Sequence, residues 1–134
     1  MAFSILFSRY FLNSFMSNLF DQVLFEAQQK LKNKQPLEAG EFITKRKKGA
    51  LDIQKKAEAK GGAALLTAVH FAAKQKPYEY SLKVCEKDNA SELIKEKADV
   101  ILEELEDWSN LTQQRFQHLM GMLEAYGEVY IQLK

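Results

Sequence analysis

The chain has a single cysteine, two histidines and a net charge of only +1 in 134 residues. A lone thiol, Cys85, cannot close a disulfide within the chain or assemble a cysteine metal site by itself. That pattern suits a reducing compartment, and a cytoplasmic location is the expectation. The small net charge rules out a strong field around the whole molecule, so any electrostatic preference must come from local patches. Long apolar runs are also missing, since no stretch reaches the roughly 18 uncharged residues of a membrane span. Nor does the apolar start read as a secretory signal. Arg9 sits inside it, Ser4, Ser8, Asn13 and Ser14 interrupt it, and no Ala-x-Ala site follows. Phosphate-cradling glycine loops are absent as well, because Gly61-Gly62 is neither a Gly-x-x-x-x-Gly-Lys nor a Gly-x-Gly-x-x-Gly motif.

What is present is the composition of a folded domain: 46% apolar and 28% charged residues. One domain over 1–134 is the expectation. Residues 1–15 can be read as an upstream extension, because Met16-Ser17-Asn18-Leu19-Phe20 is a plausible start in its own right. The fold class is mainly α, a small helical bundle. Leu12, Met16, Leu19, Phe20, Val23, Leu24, Ala27 and Leu31 recur at three- and four-residue steps and predict a helix over about 12–32. Ile43, Ala50, Ala57, Ala64 and Phe71, interleaved with Ile53, Gly61 and Ala68, continue one phase, so a single helix over about 50–75 is favoured over a break at Gly61-Gly62. Lys76-Pro77 should end it. Tyr78, Tyr80, Leu82 and Val84 then alternate with polar residues, which predicts a short extended segment at 78–84 needing a strand partner or packing as a linker.

Asn89, with Glu92 three positions on, has the spacing of a capping box and opens the last helical region. Ile94, Ile101, Trp108, Arg115, Met122 and Val129 form one heptad register, and Ala98, Leu105, Thr112, Leu119, Tyr126 and Leu133 the other. An unbroken helix over 90–134 would be about 67 Å long, against a radius of gyration of about 14 Å for a compact chain of this size. The long C-terminal helix is therefore expected either to kink or break near Ser109-Asn110 or to belong to an elongated oligomer. Trp108, between Leu105 and Leu111 on the seam, is expected to be buried, with a loss of about 3 to 5 kcal/mol on truncation to alanine.

Few residues carry chemistry. Glu96-x-x-Asp99 and Glu103-x-x-Glu106 resemble the carboxylate motifs of the all-α nucleotide pyrophosphohydrolases. That family presents them from two facing helices with Glu-x-x-Glu first; here they lie in reverse order on one helix, and a solvated acidic face is the expectation. Neither His70 nor His118 belongs to a Glu-x-x-His metal motif, since Arg115 stands three before His118. Gln114, Arg115 and His118 form a polar cluster where the heptads lapse. Cys85 has no activating base near it in sequence. No catalytic residue, metal site or cofactor is assigned.

Charge placement is the strongest remaining signal. Residues 28–60 hold ten lysines and arginines against four acids, and residues 86–107 hold nine acids against three lysines. The basic block supplies the binding candidates Lys45, Arg46, Lys47, Lys48, Lys55 and Lys56. The two blocks can face each other within a chain or across subunits, or the basic one can take up nucleic acid. The first reading is a non-enzymatic binding or assembly protein that self-associates, as a homodimer, through Ala57, Gly61, Ala64, Ala68, Leu119 and Tyr126, with another protein as a further partner class. The second is a nucleic-acid-associated protein using the 45–60 face. The third is an enzyme with a site near Arg115 and His118.

Overall fold

In a computed structural model that describes residues 18–31 and 38–134, the chain is a packed helical bundle without a strand among those residues. The helices are α1 (Leu19–Leu31), α2 (Ala39–Lys60), α3 (Ala64–Ala72), α4 (Gln75–Val84), α5 (Ala90–Leu105) and α6 (Gln113–Leu133). The start of the first expected helix, before residue 18, and the whole 1–15 segment lie outside the described residues. No described helix is long and apolar enough to cross a membrane.

The expected helix over 50–75 is two helices. Gly61 and Gly62 both take positive φ, 68° and 57°, which side chains disfavour, and the chain reverses so that α3 packs back on α2. The unbroken apolar phase across this point arises because Ala50 and Ala57 on one arm and Ala68 on the other all face the interior. The small-residue seam is thus divided by the turn at Gly61.

The extended segment expected at 78–84 is also corrected, because it lies in α4. Pro77 sits in the first turn of α4, where a missing N–H costs no helical hydrogen bond, so it opens this helix and does not terminate α3. The helix buries Pro77, Tyr78, Ser81 and Val84 at helical spacing. Polar Ser81 is fully buried and its hydroxyl has no hydrogen-bond partner among the described residues, whereas Leu82 is exposed. These two inversions of the usual residue placement produced the apparent alternation.

The break near Ser109-Asn110 is present. A 3-10 turn, Trp108–Asn110, separates α5 from α6. Asn110 donates its side-chain amide to Asp107, and the cap of α6 is Thr112, whose hydroxyl accepts from the Arg115 backbone N–H at 3.0 Å. The heptad lapse at Thr112 and Arg115 marks this new helix start. Trp108, on the turn, is half-buried, so the expectation of a buried seam indole does not hold. Asn89 precedes α5 without making a side-chain cap bond.

α6 is the axis of the bundle, in contact with α1, α2, α3, α4 and α5. It buries residues around much of its circumference, among them Leu119, Met120, Leu123, Tyr126 and Val129, as expected of a central helix. Gly121 lets α3 approach closely: a Cβ there would collide with the backbone carbonyl of His70 and stand 3.2 Å from the Ala73 side chain. Although alanine is the better helix former by about 1 kcal/mol, Gly121→Ala is expected to destabilise the protein by about 1 to 3 kcal/mol through overpacking. Chemical denaturation of the two proteins checks this, and a stabilised variant would contradict the close approach.

Candidate functional site

The least expected feature of the interior is polar. Gln117, Gly121, Glu124 and Glu128 follow one another at four-, three- and four-residue steps and form a single stripe on α6. His70 on α3, Lys74 in the following turn and Tyr78 on α4 form a second stripe that runs alongside it in the same direction. His70 Nδ1 lies 3.1 Å from Gln117 Oε1, and its Nε2 lies 2.9 Å from Glu124 Oε1. Lys74 Nζ is 3.3 Å from Glu124 Oε1 and 3.5 Å from Glu128 Oε2. Tyr78 donates its hydroxyl to Glu128 Oε1 at 2.7 Å. Arg46 reaches in from α2 and donates to both Glu128 oxygens, Nε at 3.0 Å and Nη2 at 2.8 Å.

Glu128 and Lys74 are only 2% and 3% exposed, so their charges persist only because they are paired. Burial pushes the Glu128 carboxyl up, yet the charges of Lys74 and Arg46 and the hydrogen bonds from Arg46 and Tyr78 outweigh it and hold it below the ordinary carboxylate value. Glu124 behaves likewise: burial opposes ionisation, but the His70 hydrogen bond and the charges of Lys74, His70 and Lys30 bring it down to about 2. Burial and then the Glu128 charge drive the Tyr78 phenol well above its ordinary value, which keeps it a donor. The His70 ring donates to both oxygens when doubly protonated; a neutral ring keeps both bonds when the Gln117 amide is turned to donate to Nδ1.

Arg46 and Lys74 face the two carboxylates, Glu124 and Glu128, with the His70 ring beside them. Each Glu128 oxygen already accepts two donors, so that carboxylate is fully engaged, whereas Glu124 is bonded through Oε1 alone. The cluster joins α2, α3, α4 and α6 and fixes their relative registers. Among the described residues, no group of three or more His, Cys, Asp or Glu side chains is placed to hold a metal ion.

No family model, curated protein or solved structure matches this chain. Of the basic candidates, Arg46 turns inward to Glu128, and Lys47 lies 3.7 Å from Glu79 of α4. Lys45, Lys48, Lys55 and Lys56 are exposed and form no ion pair with a described residue. Asp52 and Glu58 share this surface, with Glu58 accepting from Gln54. The polar cluster proposed around α6 is partly engaged elsewhere: Arg115 makes a two-pronged bond to Glu104 of α5 at 2.7 and 2.9 Å. Gln114 is exposed and His118 half-buried. Burial and then the Arg115 charge lower the His118 pKa. Burial, followed by the Glu86 charge, pushes the Cys85 thiol up, away from the reactive thiolate.

Among the residues expected at an interface between copies, Leu119 and Tyr126 lie in the core of the chain itself, 1% and 4% exposed, and Ala57 and Ala68 are buried. Gly61 and Ala64 flank the α2–α3 turn, half-buried. Most of the described charges of the two blocks, in contrast, are exposed, with Arg46, Lys47, Lys95 and Glu104 half-buried. α2 packs on α3, α4 and α6; α5 packs on α6, with smaller contacts to α1 and α4. Glu92, Glu96, Glu103, Glu106 and Asp107 are exposed and form no ion pair with a described residue. The lysines of α5 are occupied, Lys95 with Asp99 at 2.6 Å and Lys97 over the Tyr80 ring.

The buried polar stripe was not assigned from the sequence. Its local signals were the four-residue spacings of His70 with Lys74 and of Glu124 with Glu128. His70 lies near the end of the apolar α3 with Lys74 in the turn after it, and Glu124 and Glu128 lie in the largely apolar second half of α6.

Glu128→Ala is expected to cost about 3 to 5 kcal/mol, because it leaves Arg46 and Lys74 without their buried partner; urea unfolding measures it. The folded pKa values of Glu124 and Glu128 lie below their unfolded ones, so their stabilisation is present above the ordinary carboxylate value of 4.5 and drains as pH falls through the folded values, for Glu124 down to about 2. Unfolding free energy measured across that window should fall with pH, with a shallower slope in Glu124→Gln; an unchanged slope would contradict the pairing.

Proposed function

We propose that this chain is a non-enzymatic binding and assembly protein that associates with copies of itself. The observation that carries the reading is the separation of charge: lysines on the solvent face of α2 and carboxylates on that of α5 that form no ion pair with a described residue, on helices that do not pack substantially against each other. Exposed groups of opposite sign steer association between molecules without needing a large net charge. The buried polar groups support the same reading, since Glu128 is fully engaged in internal bonds.

A second reading is contact with nucleic-acid phosphates, favoured by the exposed lysines of the α2 face that form no ion pair with a described residue. An enzyme centred on Arg115 and His118 has less support because Arg115 is engaged with Glu104.

Sedimentation equilibrium should give a weight-average mass above 15.4 kDa that rises with concentration at low salt and falls as salt is added. A single 15.4 kDa species at every concentration and salt would overturn self-association. Salt-sensitive retention of nucleic acid by that species would favour the second reading.

A further inference from the structure

The solvent face of α2 carries a ridge, Lys45, Gly49, Ile53, Lys56 and Lys60, in which every residue is exposed. α5 and the turn after it carry Glu92, Glu96, Val100, Glu103 and Asp107, all exposed and at the same steps of four, four, three and four residues. Each ridge has one apolar residue at its centre: Ile53 is 41% exposed and Val100 64%. Lysines flank the first and carboxylates the second. A lone exposed apolar side chain is ordinary; two at matching positions in surroundings of opposite sign are complementary.

Gly49 adds an independent observation. A glycine inside an exposed helix lowers helix propensity, and a Cβ at Gly49 would meet nothing within 4 Å among the described residues. It leaves a notch one turn from Ile53. An interface needs such an apolar centre with a charged rim, and the two ridges provide one between them.

We infer that the α5 ridge of one copy docks on the α2 ridge of a second copy, with Val100 seated in the notch formed by Gly49 and Ile53 and with Glu96 and Glu103 facing the flanking lysines. This docking mode rests on the self-association proposed above and replaces the interior residues Leu119 and Tyr126 with a surface pairing. The occupant is a second copy because the matching spacing, the opposite charge and the apolar centre are all found on this chain. Its contact is between unlike surfaces, α2 with α5, so geometry that closes gives a dimer or ring and geometry that does not gives a chain of copies.

Two charge-reversal variants test this arrangement, Lys45→Glu with Lys56→Glu on α2 and Glu96→Lys with Glu103→Lys on α5, each checked for native circular dichroism. Each alone should weaken self-association by at least about tenfold, because like charges then meet across the interface. Mixing the two in equal amounts should restore association, since the acidic α2 ridge of one now meets the basic α5 ridge of the other. Gly49→Leu should weaken association while leaving the melting temperature unchanged or raised, a loss that a role within the chain would not give. If the wild-type chain associates but the reversals leave its affinity unchanged, or their mixture fails to recover, this interface is wrong and self-association stands. If the wild-type chain stays at 15.4 kDa throughout, both fail.

Discussion

A carboxylate removed from water must find its hydrogen bonds in the protein, and Glu128 finds them on three separate elements. Arg46 comes from α2, Lys74 from the turn after α3 and Tyr78 from α4, while Glu128 itself stands on the central helix. Burying the carboxylate is tolerable only when all of these elements are docked in one register. The requirement therefore spreads from one side chain to the placement of the helices that surround α6. Apolar contacts alone would accept small slips along the helix axes; a two-pronged Arg46 bond and a 2.7 Å phenol bond leave little tolerance.

The same constraint explains residues that look misplaced in isolation. Gly121 lies in the polar stripe between Gln117 and Glu124 because α3 must come close enough for His70 to reach both of its neighbours on α6. Lys74 is buried at a turn, where a lysine would ordinarily reach for water, because Glu124 and Glu128 hold its ammonium. Arg46 belongs to a run of four basic residues, yet it is half-buried with its guanidinium turned inward to Glu128, while Lys45 and Lys48 face solvent.

With Arg46 and Lys47 engaged within the chain, the basic surface of α2 is narrower than the composition of its segment suggests. The acidic surface of α5 is more complete, since Lys95 and Lys97 turn to Asp99 and Tyr80. Internal pairing thus sorts the charges, leaving lysines on one exposed ridge and carboxylates on the other. The proposed function grows from this sorting: a protein whose buried charges are paired within the chain and whose outer ones lie in rows of opposite sign.

The sequence alone determined the helical class and the position of α1 within its described span, because each is set by the phase of apolar residues; it marked where the last helix could break, at the lapse of that phase, and the tertiary structure decided that it does. It was silent or misleading where a local pattern had two structural meanings. Continuous apolar phase through Gly61-Gly62 suits a straight helix as well as a hairpin whose arms share an interior, and only the packing of α3 on α2 decided between them. Tyr78 to Val84 alternates like a strand, but Ser81 is buried and Leu82 exposed, so the period in the sequence is not the period of burial. The polar stripe was furthest from view. Arg46 and Glu128 are 82 positions apart, and Tyr78 and Glu128 are 50 apart. Local spacing determines which side chains share one helix face, whereas the meeting of two faces from distant parts of the chain depends on how the helices pack, and that was settled by tertiary structure.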